Sequence, residues 1–135
     1  MIRPLIAAAA GIAVIQAGPG ITGLATVRDA FFPQLSGIGR PDHVALTFDD
    51  GPDLFTTPEL LDLLAARGVR ATFFLLGSQV RSLPRVAAEI VEVGHEVAVH
   101  GWDHKYLPLR GPMRTYHDLA RTVNVIVLTS GNRVS

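Results

Sequence analysis

Residues 44 to 52 read VALTFDDGP: apolar residues and one threonine, then two adjacent acids, a glycine and a proline. HVALTF (43–48) has strand composition, and DDGP (49–52) has the composition of a sharp turn. Adjacent carboxylates repel each other, so fold stability gives no reason to place Asp49 and Asp50 together at a strand tip. Outward from this stretch the pattern repeats. RATFFLLG (70–77) and HEVAV (95–99) are predicted as second and third strands. Between the first two lies a helix, with Thr57 as its N-cap and Pro58 at its first position. Leu60, Leu61, Leu63 and Leu64 form its apolar side, and Gly68 closes it. Leu83 to Val93 reads as a second helix, with Pro84 near its start and Gly94 at its end. Strands alternating with amphipathic helices imply βαβ units and a parallel sheet. In such sheets the working groups gather at the carboxyl ends of the strands. Asp49 and Asp50 follow the first strand and His100 follows the third.

Composition narrows the possible functions. The chain has 135 residues, 48% of them apolar, enough for one modest folded domain. Twelve basic and twelve acidic side chains cancel, so no global field draws the protein to nucleic acid. Cysteine is absent, which removes disulfides, thiolate nucleophiles and cysteine-based zinc sites. Any metal must be held by His, Asp or Glu.

The amino-terminal part differs from the rest. No charge occurs between Arg3 and Arg28, and Leu5 to Ile15 (LIAAAAGIAVI) is apolar throughout apart from one glycine. Residues 1–28 therefore read as a secretory signal, with Gly23-Leu24-Ala25 as small residues at a cleavage site, or as a membrane anchor through residues 5–27. A buried Ala-rich helix is the third alternative. Export or anchoring would place the protein at the cell envelope. Residues 29–42 are assigned as a linker, rich in Pro and Gly over PQLSGIGRPD (33–42), and 43–135 as the globular part.

The second cluster of chemical interest is HGWDH, residues 100–104. Histidines four apart can point at one centre, and a carboxylate from a neighbouring strand end would complete a three-ligand set with positions left open for water and substrate. A divalent ion would also relieve the repulsion within the aspartate pair, one acid binding the ion and the other left free as a general base.

TFDDGP (47–52), ATFFLLG (71–77) and GHEVAVHGWDH (94–104) together resemble the polysaccharide deacetylases, the carbohydrate esterase family 4 or NodB-homology domain, over about residues 43 to 122. The resemblance implies an α/β fold. It would be a partial (β/α) barrel of the polysaccharide-deacetylase type, with parallel strands and flanking helices, here preceded by an N-terminal apolar helix. It implies metal-dependent removal of acetyl groups from N- or O-acetylated glycans, with an acetylated polysaccharide or oligosaccharide as partner. By position, Asp49 resembles the general base, and Asp50, His100 and His104 resemble the ligands of a divalent ion, usually Zn2+.

The sequence departs from that pattern in two places. Gly101 stands where the family usually has Ser or Thr, losing a hydroxyl that would brace the loop. The later segments, an Arg-x-Pro-Tyr type, an Asp/Trp type and a Leu-x-His type carrying the family's general acid, do not occur before Ser135. GPMRTYHDLARTV (111–123) fits a family helix, whereas NVIVLTSGNRVS (124–135) is β-branched and unlike what should follow. Closed barrels need roughly 200 residues or more, so a truncated domain with at least one open strand edge is expected. A catalytically inactive remnant that binds metal or glycan is therefore the alternative to a deacetylase, and a phosphoesterase on the same ligand types is a third reading. His117 is expected on the surface, and His43 and His95 in structural roles. Trp102 either stacks on a sugar or packs beneath its loop.

Overall fold

The computed structural model describes residues 23–33, 42–105 and 110–131. The signal or anchor assigned to residues 1–28 therefore lies almost wholly outside the described residues, as does most of the linker. Among the described residues no helix is long and apolar enough to cross a membrane. The chain divides into two compact units. One comprises residues 1–43 with 107–112, and its described helix is α1, Ala25–Phe31, which buries no residue.

The other unit, residues 44–106 with 113–135, carries the sheet. Its elements run β1 (Thr47–Gly51), α2 (Thr56–Arg67), β2 (Thr72–Leu75), α3 (Gly77–Ser82), α4 (Pro84–Glu92), β3 (Glu96–Val99) and α5 (Pro112–Ser130). The three strands are parallel in the order β1-β2-β3, in register Thr47 with Thr72 and Thr72 with Glu96. This is the parallel sheet with flanking helices that the alternating pattern implies. β1 and β3 each have one strand neighbour among the described residues, so both are sheet edges there.

β2 is central, and its pattern shows why. Phe73 and Leu75 alternate with half-buried Thr72 and Phe74, and Leu75 is 0% exposed. On the Phe73 face the core gathers Leu61 and Leu64 from α2, Val80 from α3, Ala87 and Ile90 from α4, and Ile126 from α5. Within α2 and α4 these positions recur three apart, a spacing that gives a helix one buried stripe.

Several boundaries differ from those the sequence predicts. β1 starts at Thr47 rather than His43, because Val44 is 94% exposed and has no core to face. The N-cap position of α2 is Phe55, not Thr57, and Asp53 just ahead of it ties down the helix start. The Asp53 carboxylate accepts the N–H groups of Phe55 and Thr56 at 3.0 and 2.7 Å, and these bonds hold its pKa below the usual carboxylate value. Thr57 is buried inside the first turn, where its hydroxyl accepts the Asp53 N–H at 2.9 Å. Gly68 closes α2 at φ 61, as its position in the sequence predicts. The short helix α3 has no counterpart among the predicted elements. At the other end, α5 continues to Ser130, so the β-branched segment after Val123 extends a helix and brings Ile126 into the core at 2% exposure.

Candidate functional site

The sheet's hydrogen bonds continue past its last paired residues. The Leu76 N–H donates to Gly51 O at 2.8 Å, and the His100 N–H donates to Leu75 O at 3.0 Å. The carboxyl ends of all three strands are thereby level, with the end of β2 between those of β1 and β3. The β1 ladder shifts between Phe48 and Gly51, across the two acids, and Asp50 adopts φ 67. His104 adopts φ 48. Left-handed backbone at residues other than glycine is uncommon and costs on the order of 1–3 kcal/mol. Asp50 and His104 are the described residues in that state, and both belong to the cluster that follows.

Asp50 Oδ1 lies 3.2 Å from His100 Nε2 and 3.4 Å from His104 Nε2. The two imidazole rings are 5.4 Å apart, and the ligand atoms of all three residues fall within 4.8 Å of one another. An ion held tetrahedrally by bonds of roughly 2.0–2.1 Å sets neighbouring ligand atoms about 3.3–3.4 Å apart. The two Asp50–histidine distances match that spacing, and two nitrogens with one carboxylate oxygen are a donor set suited to a divalent cation. The cluster faces outward: the side chains of Asp50 and His104 are more than half exposed, and that of His100 is 28% exposed. Asp49, the next residue on β1, is exposed and stands outside this three-residue group.

The loop that carries both histidines is held from two directions. The first N–H groups of α3, on Gly77 and Ser78, donate to Gly101 O and Trp102 O at 3.0 and 2.9 Å. From α5, the Asp118 carboxylate accepts the Trp102 N–H at 2.8 Å. Trp102 packs beneath the loop and is 9% exposed, with the Arg121 guanidinium 3.3 Å from its ring centroid and that of Arg81 at 5.3 Å. Gly77 leaves room for it, since a Cβ there would stand 2.6 Å from Trp102 Cε3. Gly101 has φ 93, a region that β-branched residues avoid. Bracing of the loop thus comes from Asp118, Gly77 and Ser78 rather than from a side chain at residue 101. Asp103 pairs with Lys105.

The sequence model of the family described as polysaccharide deacetylase matches residues 36–135. The chain belongs to that family. A peptidoglycan-N-acetylglucosamine deacetylase of Listeria monocytogenes is 40% identical over 99 residues, 73% of this chain and 21% of that protein. A chitooligosaccharide deacetylase of Sinorhizobium fredii is 47% identical over 76 residues, 56% of this chain and 35% of that protein. Among solved structures, a family 4 acetyl xylan esterase from Clostridium thermocellum in complex with a cobalt ion aligns with TM-score 0.64 at 35% identity. That alignment covers 67% of this chain and 44% of the esterase. The chain therefore spans about a fifth to a third of these two curated relatives.

The remaining histidines take other places. His95 is buried at the start of β3, where its Nδ1 accepts the Ala71 N–H at 3.2 Å. Burial first, and the positive charge of Arg70 second, hold its pKa below the usual histidine value. His43 is exposed beside Asp42 at 3.1 Å, and His117 is exposed with its ring against Tyr116. Asp118, Arg121 and Gly77 were invisible as site residues in the sequence. The trace of Asp118 and Arg121 is a helix-compatible segment after the second histidine, and that of Gly77 is its place at the end of the ATFFLLG segment.

Proposed function

We propose that this chain supplies the cation site and the general base of a deacetylase acting on acetylated glycans, with Asp50, His100 and His104 as metal ligands. The observation that carries the reading is the convergence of both imidazole Nε2 atoms on one Asp50 oxygen, at 3.2 and 3.4 Å. A divalent ion bound there, most simply Zn2+, would polarise the acetyl carbonyl and lower the pKa of water to about 7. Asp49 is the base. It neighbours Asp50 yet is left out of the ligand group, so its carboxylate is free to take the proton of the attacking water. Water adds to the acetyl carbon, the bond from that carbon to nitrogen breaks, and acetate leaves. The sugar nitrogen departs as an amine and takes a proton from an acid. Residues 1–135 hold no segment of the family type that supplies that acid.

The substrate class follows the relatives, one named for peptidoglycan N-acetylglucosamine and one for chitooligosaccharides. The apolar run from Leu5 to Ile15 supports secretion or anchoring at the envelope, where such glycans lie. The test is acetate release from N-acetylated chitooligosaccharide and from peptidoglycan by the chain loaded with Zn2+ or Co2+. Release that is lost on chelation supports the deacetylase. A second reading is a chain that binds the ion without turnover. Stoichiometric metal binding with no acetate released selects it.

A further inference from the structure

We infer that Asp118 is a positioning residue for the proposed metal site, acting through the backbone of Trp102. The inference rests on the reading of Asp50, His100 and His104 as ligands. His100 and His104 sit at either end of a loop whose backbone is left-handed at Gly101 (φ 93) and at His104 (φ 48). A loop with two such residues does not keep that shape unaided; neighbouring groups have to impose it. On the carbonyl side α3 imposes it, through the Gly77 and Ser78 N–H groups. On the amide side the restraint comes from Asp118, sixteen residues further along the chain, whose Oδ2 accepts the Trp102 N–H at 2.8 Å.

Asp118 is itself anchored. It lies one turn before Thr122, which is 0% exposed and whose hydroxyl donates to Asp118 O at 2.8 Å. Arg121, from the same turn, lies over the face of the Trp102 ring at 3.3 Å. One turn of α5 therefore grips the residue midway between the two histidines by its amide and by its ring. The same Oδ2 would stand 3.4 Å from a Cβ at residue 101, so the carboxylate also closes the space beside Gly101. A carboxylate or carboxamide oxygen at residue 118 can accept the amide hydrogen, whereas a methyl group cannot. Without that hydrogen bond, His100 and His104 would sample geometries that do not share one ion with Asp50, although all three ligands remain present. Groups that orient metal ligands without touching the metal typically contribute about 10–100-fold to metal affinity.

The test uses the full chain and Co2+, followed by calorimetry and by its visible absorption band. Wild type is expected to bind one ion. Asp118→Ala should bind about 10–100-fold more weakly with an altered band, while Asp118→Asn should return to within about threefold because it keeps the acceptor. A parallel measurement needs no variant: the Trp102 amide in the metal-free wild-type chain should be protected from hydrogen exchange. Wild-type affinity in Asp118→Ala, or a Trp102 amide exchanging as fast as in an unstructured peptide, overturns the inference. Failure of the wild-type chain to bind Co2+ sinks the ligand assignment instead, and the amide measurement then decides the role of Asp118 by itself.

Discussion

Asp50 and His100 meet at 3.2 Å although their strands, β1 and β3, are not neighbours. β2 lies between them, which separates the two strands by roughly 9–10 Å. The side chains therefore close over the end of β2, where Leu76 turns from strand into helix α3. The sheet brings the two strand ends within reach, and the shifted β1 backbone at Asp50 and the braced loop after β3 set the final positions of the carboxylate and the imidazole. This makes the site a property of the packed sheet and its braced loop.

The two adjacent acids should separate in function. Asp50→Ala, His100→Ala and His104→Ala each delete one ligand and should weaken divalent-metal binding by on the order of 100-fold or more, beyond what supporting residues contribute. Asp49→Asn should leave binding nearly intact while lowering acetate release by about 10²–10⁴-fold. Calorimetry across the four variants checks the division, and equal losses in all four would reject it.

Gly77 should tolerate no side chain. A Cβ there would come within 2.6 Å of Trp102 Cε3 and 3.1 Å of Thr122 Oγ1, both buried. Gly77→Ala should cost about 1–3 kcal/mol in urea unfolding, the usual penalty of overpacking. It should also shift Trp102 fluorescence to longer wavelength, because the ring must move outward. Trp102 is the sole tryptophan, so the signal is unambiguous.

How much of this was legible in the residues follows from which interactions are local. The strands and α2 and α4 were readable because their apolar spacing, their prolines and Gly68 are short-range signals. That one of the two acids would lie near His100 and His104 was readable because a parallel sheet brings strand ends together; the choice of Asp50 over Asp49 rested on the family resemblance. The start of α2 at Phe55, tied down by Asp53, was obscured by Thr57-Pro58, a better-known helix start that lies inside the first turn instead. α3 was missed because six residues with a single fully buried apolar side chain, Val80, carry too little periodicity. Its first N–H groups bond to a loop more than twenty residues away, which no local window contains. The tail after Val123 was misleading because β-branched residues favour strands on average, while burial of Ile126 on the core overrides that preference.

Acid should weaken the fold through His95. Its folded pKa is lowered by burial and by Arg70, while in the unfolded chain it returns to about 6.5. The unfolded state therefore binds the proton more readily. The stability that neutral His95 contributes is complete above about pH 6.5 and declines as pH falls from there through the lowered folded value. Protonation would also remove the Nδ1 acceptor used by the Ala71 N–H. His95→Gln keeps an acceptor but does not titrate, so its stability should fall less than that of wild type between about pH 6.5 and 5. Parallel urea titrations of the two proteins measure the difference, and identical slopes would show that His95 carries none of it.

The end of α5 gives the sharpest test of whether the β-branched tail belongs to the fold. Ile126 is 2% exposed and joins the cluster that contains Phe73 and Leu75, whereas Leu128, two residues on, is 85% exposed. Removing the Ile126 side chain leaves a cavity against the central strand, so Ile126→Ala should destabilise by about 2–5 kcal/mol. Leu128→Ala, at an exposed site, should stay within about 0.5 kcal/mol. The contrast is informative because a tail paired as a strand would bury alternate residues, placing 126 and 128 on the same face. A helix puts them about 200° apart. Similar losses from the two substitutions would mean that residues 124–130 do not dock as a helix. The anchoring of Asp118 by Thr122, one turn earlier, would then lose its support as well.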